Sequence, residues 1–269
     1  MEKGKLIGKG MTAEVYEWEK DRVLKLFADR YNQDWVKVEA KKGSAVHNAG
    51  ISSPSVFDVI DVDGRTGIIL QQIYGKSMLR EIQEEPWKSY LFAQKLARFH
   101  YKIHQYSSDE LPSQRERFAF TINRSSKLDG ETRNKIIDYV DSLPNGKSIC
   151  HGDLHFNNVI ISNKKLVAID WSSAYQGNPL GDVARTCMMM SSPSSPIRIP
   201  DVISSFFQYA KWLIYWTYLN EYMRLSKAKF EDIDAWMLPV AAAKLKDKVH
   251  GDEKWLMDII NKRLKQFNP

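Results

Sequence analysis

The sequence predicts an α+β fold: an antiparallel sheet with one helix, followed by a mainly helical remainder. Three observations carry this. Residues 6–73 hold short apolar runs separated by turn signals, with a single helical stretch among them. From residue 77 onward apolar residues recur at helical spacing. Two further short runs, 159–161 and 166–169, flank Ser162-Asn163-Lys164-Lys165 and read as a hairpin. With 269 residues, 43% of them hydrophobic, and eight Trp, the chain has material for a sizeable core.

Taken in order, residues 6–16 read as strand, Gly-rich turn, strand. Gly8 and Gly10 allow a tight turn and close approach of backbone N–H groups to a phosphate, although two glycines between strands are more often only a hairpin. Thr12 adds a hydroxyl there, as consistent with solvation as with a phosphate contact. In the strand Val23-Leu24-Lys25-Leu26-Phe27 the lone charge is either an edge residue facing water or a ligand in a cleft. Residues 31–48 read as a helix whose only Glu is Glu39. That Glu either partners Lys25 or is compensated on the surface by Lys41 or Lys42. Strands at 56–62 and 66–73 flank Asp63-Gly64, a strong hairpin signal, and bring the sheet to about five strands.

The second part is helical. Residues 87–105 place His100 and His104 at i,i+4. The zinc-protease form of that spacing needs Glu at 101, where Tyr101 stands, so a core helix is the better reading. Residues 107–112 are a loop, 130–143 an amphipathic helix ended by Pro144-Asn145-Gly146, and 191–196 a Ser/Pro-rich loop. Residues 201–223 carry aromatics on nearly every face, among them Phe206, Phe207, Tyr209, Trp212, Tyr218 and Tyr222. They are mostly core, with part available to hold a cationic amine. Residues 224–269 mix Lys, Asp and apolar positions, as exposed helices would.

The chemistry concentrates in 150–171. Asp153 and Asn158 lie in His151-Gly152-Asp153-Leu154-His155-Phe156-Asn157-Asn158, and the hairpin that follows ends at Ile169-Asp170-Trp171. Its return would bring Asp170 beside the loop that carries Asp153 and Asn158. Two carboxylates and an amide at one point suit phosphoryl transfer. Asp153 takes the proton of an acceptor hydroxyl, while Asn158 and Asp170 offer oxygens to Mg²⁺, a hard cation. Reading His151-x-Asp153-x-His155 instead as the ligand set of a metal-dependent hydrolase leaves Asn158, Lys25, Glu39 and Asp170 unexplained.

His-Gly-Asp-Leu-His-x-x-Asn followed by Ile-Asp-Trp resembles the aminoglycoside phosphotransferase and choline kinase-like superfamily, small-molecule kinases with a protein-kinase-like two-lobed fold. The resemblance extends over nearly the whole chain. Val-Leu-Lys-Leu-Phe is similar to the kinase lysine strand, Glu39 fits by order the helical Glu that holds that lysine, and Leu96-Ala97-x-x-His100-x-x-x-His104 is similar to a family segment at the same place. Ala13 departs from the third glycine of protein kinases. The resemblance implies a nucleotide-binding lobe at 1–74 and a catalytic and substrate-binding lobe at 75–269. It implies ATP or GTP with Mg²⁺, held by Gly8, Gly10, Thr12, Lys25 and Glu39, with a hinge at Gln72 and Ile73 for the base. His155 takes the place where protein kinases put a lysine near the γ-phosphate, though a packing role suits it as well. Asp182, in Gly177-x-Pro179-x-x-Asp182, is implied to brace the catalytic loop. The expected activity is transfer of the γ-phosphate to a hydroxyl of an aminoglycoside, a choline-like amino-alcohol or a sugar derivative. A Ser/Thr protein kinase and a non-catalytic nucleotide binder are the alternatives. The first is disfavoured because no Ala-Pro-Glu follows Asp170.

Composition narrows the partners. The net charge of +6 suits an anionic ligand such as a nucleotide, and no Lys/Arg block marks a nucleic-acid partner. Residues 224–269 lack the acidic cluster a polycation would want. Cys150 and Cys187 are the only cysteines, no apolar signal core follows Met1, and no apolar run approaches the ~20 residues of a membrane span. A cytoplasmic monomer or homodimer, with no nucleic-acid or membrane partner, is expected.

Overall fold

Five strands form the first sheet: β1 (Leu6–Lys9), β2 (Ala13–Glu17), β3 (Arg22–Phe27), β4 (Val56–Val62) and β5 (Arg65–Gln71). All pairs are antiparallel, in the spatial order β1-β2-β3-β5-β4. The β4–β5 turn is made by Asp63 and Gly64, both at positive φ (53° and 76°), the backbone that suits a two-residue hairpin. Helix α1 (Gln33–Asn48) follows β3, its first turn capped by the Asn32 side chain accepting from Trp35 N–H at 2.9 Å. This computed structural model describes residues 3–193, 201–247 and 251–267; at 201–208, 247 and 267 it describes the backbone alone.

Period-two alternation along β3 decides which side chains meet. Leu24 and Leu26 pack with Ile69 on one face, against Trp18 and Ile60. Phe27 packs on the other face with Val36 and Ala40 of α1. Lys25 shares the parity of Phe27 and reaches α1, where Glu39 lies between Val36 and Ala40 on the buried side.

The chain divides into two compact units, residues 1–81 with 156–174 and residues 82–155 with 175–269. Functional lobes at 1–74 and 75–269 are a separate matter and stand as a proposal. In the first unit β6 (Lys76–Ser77) pairs with β8 (Val159–Ser162), and β8 with β9 (Lys165–Ala168). The β8–β9 turn runs through Asn163 and Lys164, both at positive φ. Gly75 is demanded by this packing, because a Cβ there would run into the Ile161 carbonyl.

The second unit holds α3 (Ser89–Ile103), α4 (Gln114–Asn123), α5 (Gly130–Ser142), α6 (Pro179–Ser191), α7 (Asp201–Ser226), α8 (Phe230–Asp234), α9 (Met237–Lys244) and α10 (Glu253–Phe267), with β7 (Ser148–Cys150) paired to β10 (Tyr175–Gly177). Helix α2 (Met78–Glu84) spans the division in the chain. Helix α4 was not expected from the sequence, yet a capping box marks it: Ser113 accepts from Glu116 N–H and the Glu116 carboxylate accepts from Ser113 N–H. The expectation of exposed helices after 224 fails at α9, where every residue from Leu238 to Lys244 is buried. Of the Ser/Pro-rich loop, 194–196 lie outside the described residues, as do the side chains of Phe206 and Phe207. Among the described residues no helix is long and apolar enough to cross a membrane.

Candidate active site

In the first unit, the Lys25 ammonium lies 2.7 Å from Glu39 Oε1 and 3.0 Å from Asp170 Oδ1. Burial by itself would push Lys25 down, but the charges of Asp170 and Glu39 outweigh it and hold the ammonium above its ordinary value. Asp170 sits at φ 62°, ψ 68°, left-handed backbone that Asp tolerates better than most residues. The hairpin return expected from the sequence is present: Ala168 pairs with Val159, and Ile169 N–H donates to Asn158 O at 2.9 Å. Asn158 and Asp170 therefore flank the open end of one β-hairpin. The Lys42 ammonium donates to Ser172 O at 2.8 Å and ties α1 to the turn after Asp170.

One ammonium faces two carboxylates in this cluster. Glu39 Oε2 is buried without a hydrogen-bond partner, and both Asp170 and Asn158 offer oxygen donors. The donor chemistry fits a hard divalent cation such as Mg²⁺.

The Gly-rich turn closes through Gly10 N–H donating to Ala13 O at 2.9 Å, and it is tethered by Ala28 N–H on Thr12 O and by Arg30 on Met11 O. Neither Gly8 nor Gly10 has positive φ, and a Cβ at either would meet only ordinary contacts. The protein itself does not require glycine there; only the close approach of a ligand would. At the expected hinge, Gln72 N–H already donates to Asp21 O at 2.9 Å. The Gln72 carbonyl and the Ile73 N–H make no backbone hydrogen bond among the described residues, and these are the groups a base would meet.

In the second unit, the loop carrying Asp153 is built on Asp182. Oδ2 accepts from His151 N–H at 2.6 Å, from His100 Nε2 at 3.0 Å and from His104 Nε2 at 3.3 Å, while Oδ1 accepts from Gly152 N–H at 2.8 Å. Burial alone would push this carboxyl up, but the histidines, His100 foremost, hold it well below the usual carboxylate range. On the far side of the two imidazoles, His100 Nδ1 lies 2.6 Å from Tyr218 OH and His104 Nδ1 2.7 Å from Tyr222 OH. Burial, reinforced by His100, pushes His104 down to about 4 against the pull of Asp182. Gly152 takes φ 76°, which a side chain would strain, so the turn that presents Asp153 needs glycine.

Asp153 itself is half-exposed. Its Oδ1 accepts from Arg185 Nη2 at 3.1 Å, its Oδ2 lies 3.7 Å from His155 Nε2, and its N–H donates to His151 Nδ1 at 3.3 Å. Arg185, on α6, is not marked by the sequence, because a separation of 32 residues from Asp153 carries no spacing signal. The buried tyrosines of α7 were read as core, and their link to His100 and His104 across 118 residues was equally invisible. Among the described residues the one cluster of three metal-ligand types is His100, His104 and Asp182. His151, Asp153 and His155 form no such set, which removes the geometric basis for the hydrolase reading.

A lysine strand, a paired helical glutamate, a hairpin-end aspartate and a braced His-Gly-Asp loop are parts of the protein-kinase-like fold. The model of the phosphotransferase enzyme family (APH) matches residues 3–213, and the chain belongs to that family. Among curated proteins no match is found. Among solved structures, one similar chain is a thermostable mutant of the aminoglycoside phosphotransferase APH(4)-Ia in ternary complex with AMP-PNP and hygromycin B. Its TM-score is 0.62 at 16% identity, covering 96% of this chain and 91% of that one. A Haemophilus somnus 129PT chain designated a fructosamine-3-kinase has a TM-score of 0.61 at 14% identity, covering 96% and 90%. Choline kinase from Cryptosporidium parvum Iowa II has a TM-score of 0.53 at 13% identity, covering 98% and 88%. Identities this low establish the shared fold and leave the acceptor open.

Proposed function

We propose that this protein transfers the γ-phosphate of ATP or GTP to a hydroxyl of a small molecule. The observation that carries the reading is the buried Lys25–Glu39 pair, which the order of strand and helix anticipated, with Asp170 on the same ammonium. Lys25 binds the α/β-phosphates and is held in place by Glu39. The Gly8–Gly10 turn lays backbone N–H groups over the phosphates, with Thr12 beside them, and the hinge carbonyl of Gln72 and N–H of Ile73 take the base. Asn158 and Asp170 hold Mg²⁺, which when bound neutralises charge on the phosphate oxygens.

Asp153 orients the acceptor hydroxyl and receives its proton as the oxygen bonds to the γ-phosphorus and the bond to the nucleoside diphosphate breaks. Arg185 fixes one carboxylate oxygen of Asp153. His155 stands beside the other oxygen and adds positive charge toward the transferring group when protonated. Asp182 acts indirectly, by setting the backbone from which Asp153 projects. Catalysis on this reading is positioning and electrostatic stabilisation.

The acceptor belongs to the range handled in this family, an aminoglycoside, an amino-alcohol or a sugar derivative. The test is ADP and GDP release across a panel of hydroxylated amines, sugars, sugar acids and aminoglycosides, with Asp153→Ala as the blank. An acceptor that stimulates release in the wild type alone, with a phosphorylated product by mass, supports the proposal. Nucleotide binding without turnover on any acceptor would favour a binding role instead.

A further inference from the structure

The second unit carries a cation that the mechanism above does not use. Arg117, on α4, is half-buried, and its guanidinium lies 5.1 Å from the centroid of the buried Tyr175 ring. Among the described residues no carboxylate or other acceptor comes within ion-pair or hydrogen-bond distance of its side chain, whereas the nearby Arg185 is paired with Asp153. Burial pushes the Arg117 guanidinium below its ordinary value, and the Arg185 charge adds to that push while Tyr175, Asp182 and Asp153 pull the other way. Those partners place it in the electrostatic neighbourhood of the Asp153 carboxylate. The register of β10 agrees: Tyr175 pairs with Cys150, three residues ahead of Asp153.

The charge balance there is unusual for a site that receives a cation. Arg185 is paired with Asp153, Arg117 adds a second positive charge on the same unit, and the neighbouring Asp182 is already met by four N–H donors. A desolvated guanidinium without a counter-ion is costly, and an oxyanion that reaches it recovers charge-assisted, bidentate hydrogen bonds.

We infer that Arg117 is the specificity-determining residue of the acceptor side, and that the acceptor is a small hydroxylated molecule bearing an oxyanion, a carboxylate or a phosphate ester. The inference rests on the phosphotransferase reading and narrows it away from polycationic acceptors. Arg117 binds the oxyanion and Asp153 receives the proton of a hydroxyl on the same molecule.

The test is calorimetric, on the full chain saturated with AMP-PNP and Mg²⁺. Two matched series are titrated: glycerate, glycerol phosphate, glycerol and 3-amino-1,2-propanediol; then gluconate, glucose 6-phosphate, glucose and glucosamine. In at least one series an anionic member binds roughly tenfold or more tighter than its neutral partner, and the cationic member binds no better than the neutral one. The carboxylate and phosphate arms show which oxyanion is meant. Arg117→Gln removes the preference, Arg117→Lys keeps part of it, and both variants bind AMP-PNP as the wild type does. The inference is overturned if no anionic member outbinds its neutral partner, if the preference survives Arg117→Gln, or if that variant weakens AMP-PNP binding, which would make Arg117 a nucleotide ligand. Wild-type protein that binds no AMP-PNP would bring down the phosphotransferase reading itself, and the inference with it.

Discussion

Asp170 and Asp182 are both carboxylates tied to cationic or N–H partners, yet they are built for opposite purposes. The Asp182 side chain is fully buried and receives four N–H donors from two parts of the chain, the imidazoles of His100 and His104 and the backbone at 151–152. The Asp170 side chain is 41% exposed, sits on left-handed backbone and shares Lys25 with Glu39. A closed, saturated carboxylate is a fastener. An exposed one beside a buried lysine is, on the proposed function, a ligand. The same side-chain type is sorted into structural and chemical roles by how completely its neighbours satisfy it.

The largest effect that would break this contrast comes from exchanging each carboxylate for its amide. Asp182→Asn replaces one acceptor oxygen by an NH₂ group that must face at least one of the four N–H donors and removes the negative charge they share, and we expect a loss of about 3–5 kcal/mol in unfolding free energy, measured by urea titration, with activity lost alongside. Asp170→Asn suits the same left-handed backbone and leaves the urea midpoint near wild type. It weakens Mg²⁺-dependent nucleotide binding by more than the ~10–100-fold that outer-shell losses cost metal sites. A stable Asp182→Asn or an unfolded Asp170→Asn would reverse the assignment.

Asp153→Ala separates the catalytic group from both. Turnover on a working acceptor falls on the order of 10²–10⁴-fold while nucleotide affinity and stability hold, by steady-state kinetics and calorimetry. The closed cluster also predicts a pH signature. His104 is held at about 4, below its unfolded value near 6.5, so the unfolded chain binds a proton that the folded chain refuses. Stability is fully present above about pH 6.5 and falls as pH drops toward 4, by about 3 kcal/mol from this residue. The slope should flatten in His104→Gln, read as thermal midpoint against pH. The smallest effect is at Gly10. Because the protein does not need glycine there, Gly10→Ala shifts stability by less than about 0.5 kcal/mol while raising the KM for nucleotide.

Much of this contrast was legible in the sequence, for identifiable reasons. The hairpins at Asp63-Gly64 and at 162–165 declare themselves through local turn chemistry, and the second one fixes Asn158 and Asp170 at its open end. Strand parity put Lys25 on the face that meets α1, so Glu39 as its partner needed only chain order. Asp182 could be placed under the loop from its motif, but its histidine and tyrosine partners could not: they come from helices that meet only in three dimensions. Arg185 and Arg117 were passed over for the same reason. The hydrogen bond from Gln72 N–H to Asp21 O is a backbone matter that no side-chain pattern reports. Two misses were avoidable, since Ser113 and Glu116 spell a helix start and the apolar run of α9 is a buried helix by composition alone.

The most direct test of the division of labour is calorimetric binding of AMP-PNP, with and without Mg²⁺, to wild type, Asp170→Asn and Asp153→Ala. The account predicts that wild type and Asp153→Ala bind with similar affinity and that Mg²⁺ strengthens both, whereas Asp170→Asn shows no response to Mg²⁺. Wild-type binding indifferent to Mg²⁺, or Asp153→Ala losing the nucleotide as Asp170→Asn does, would contradict it.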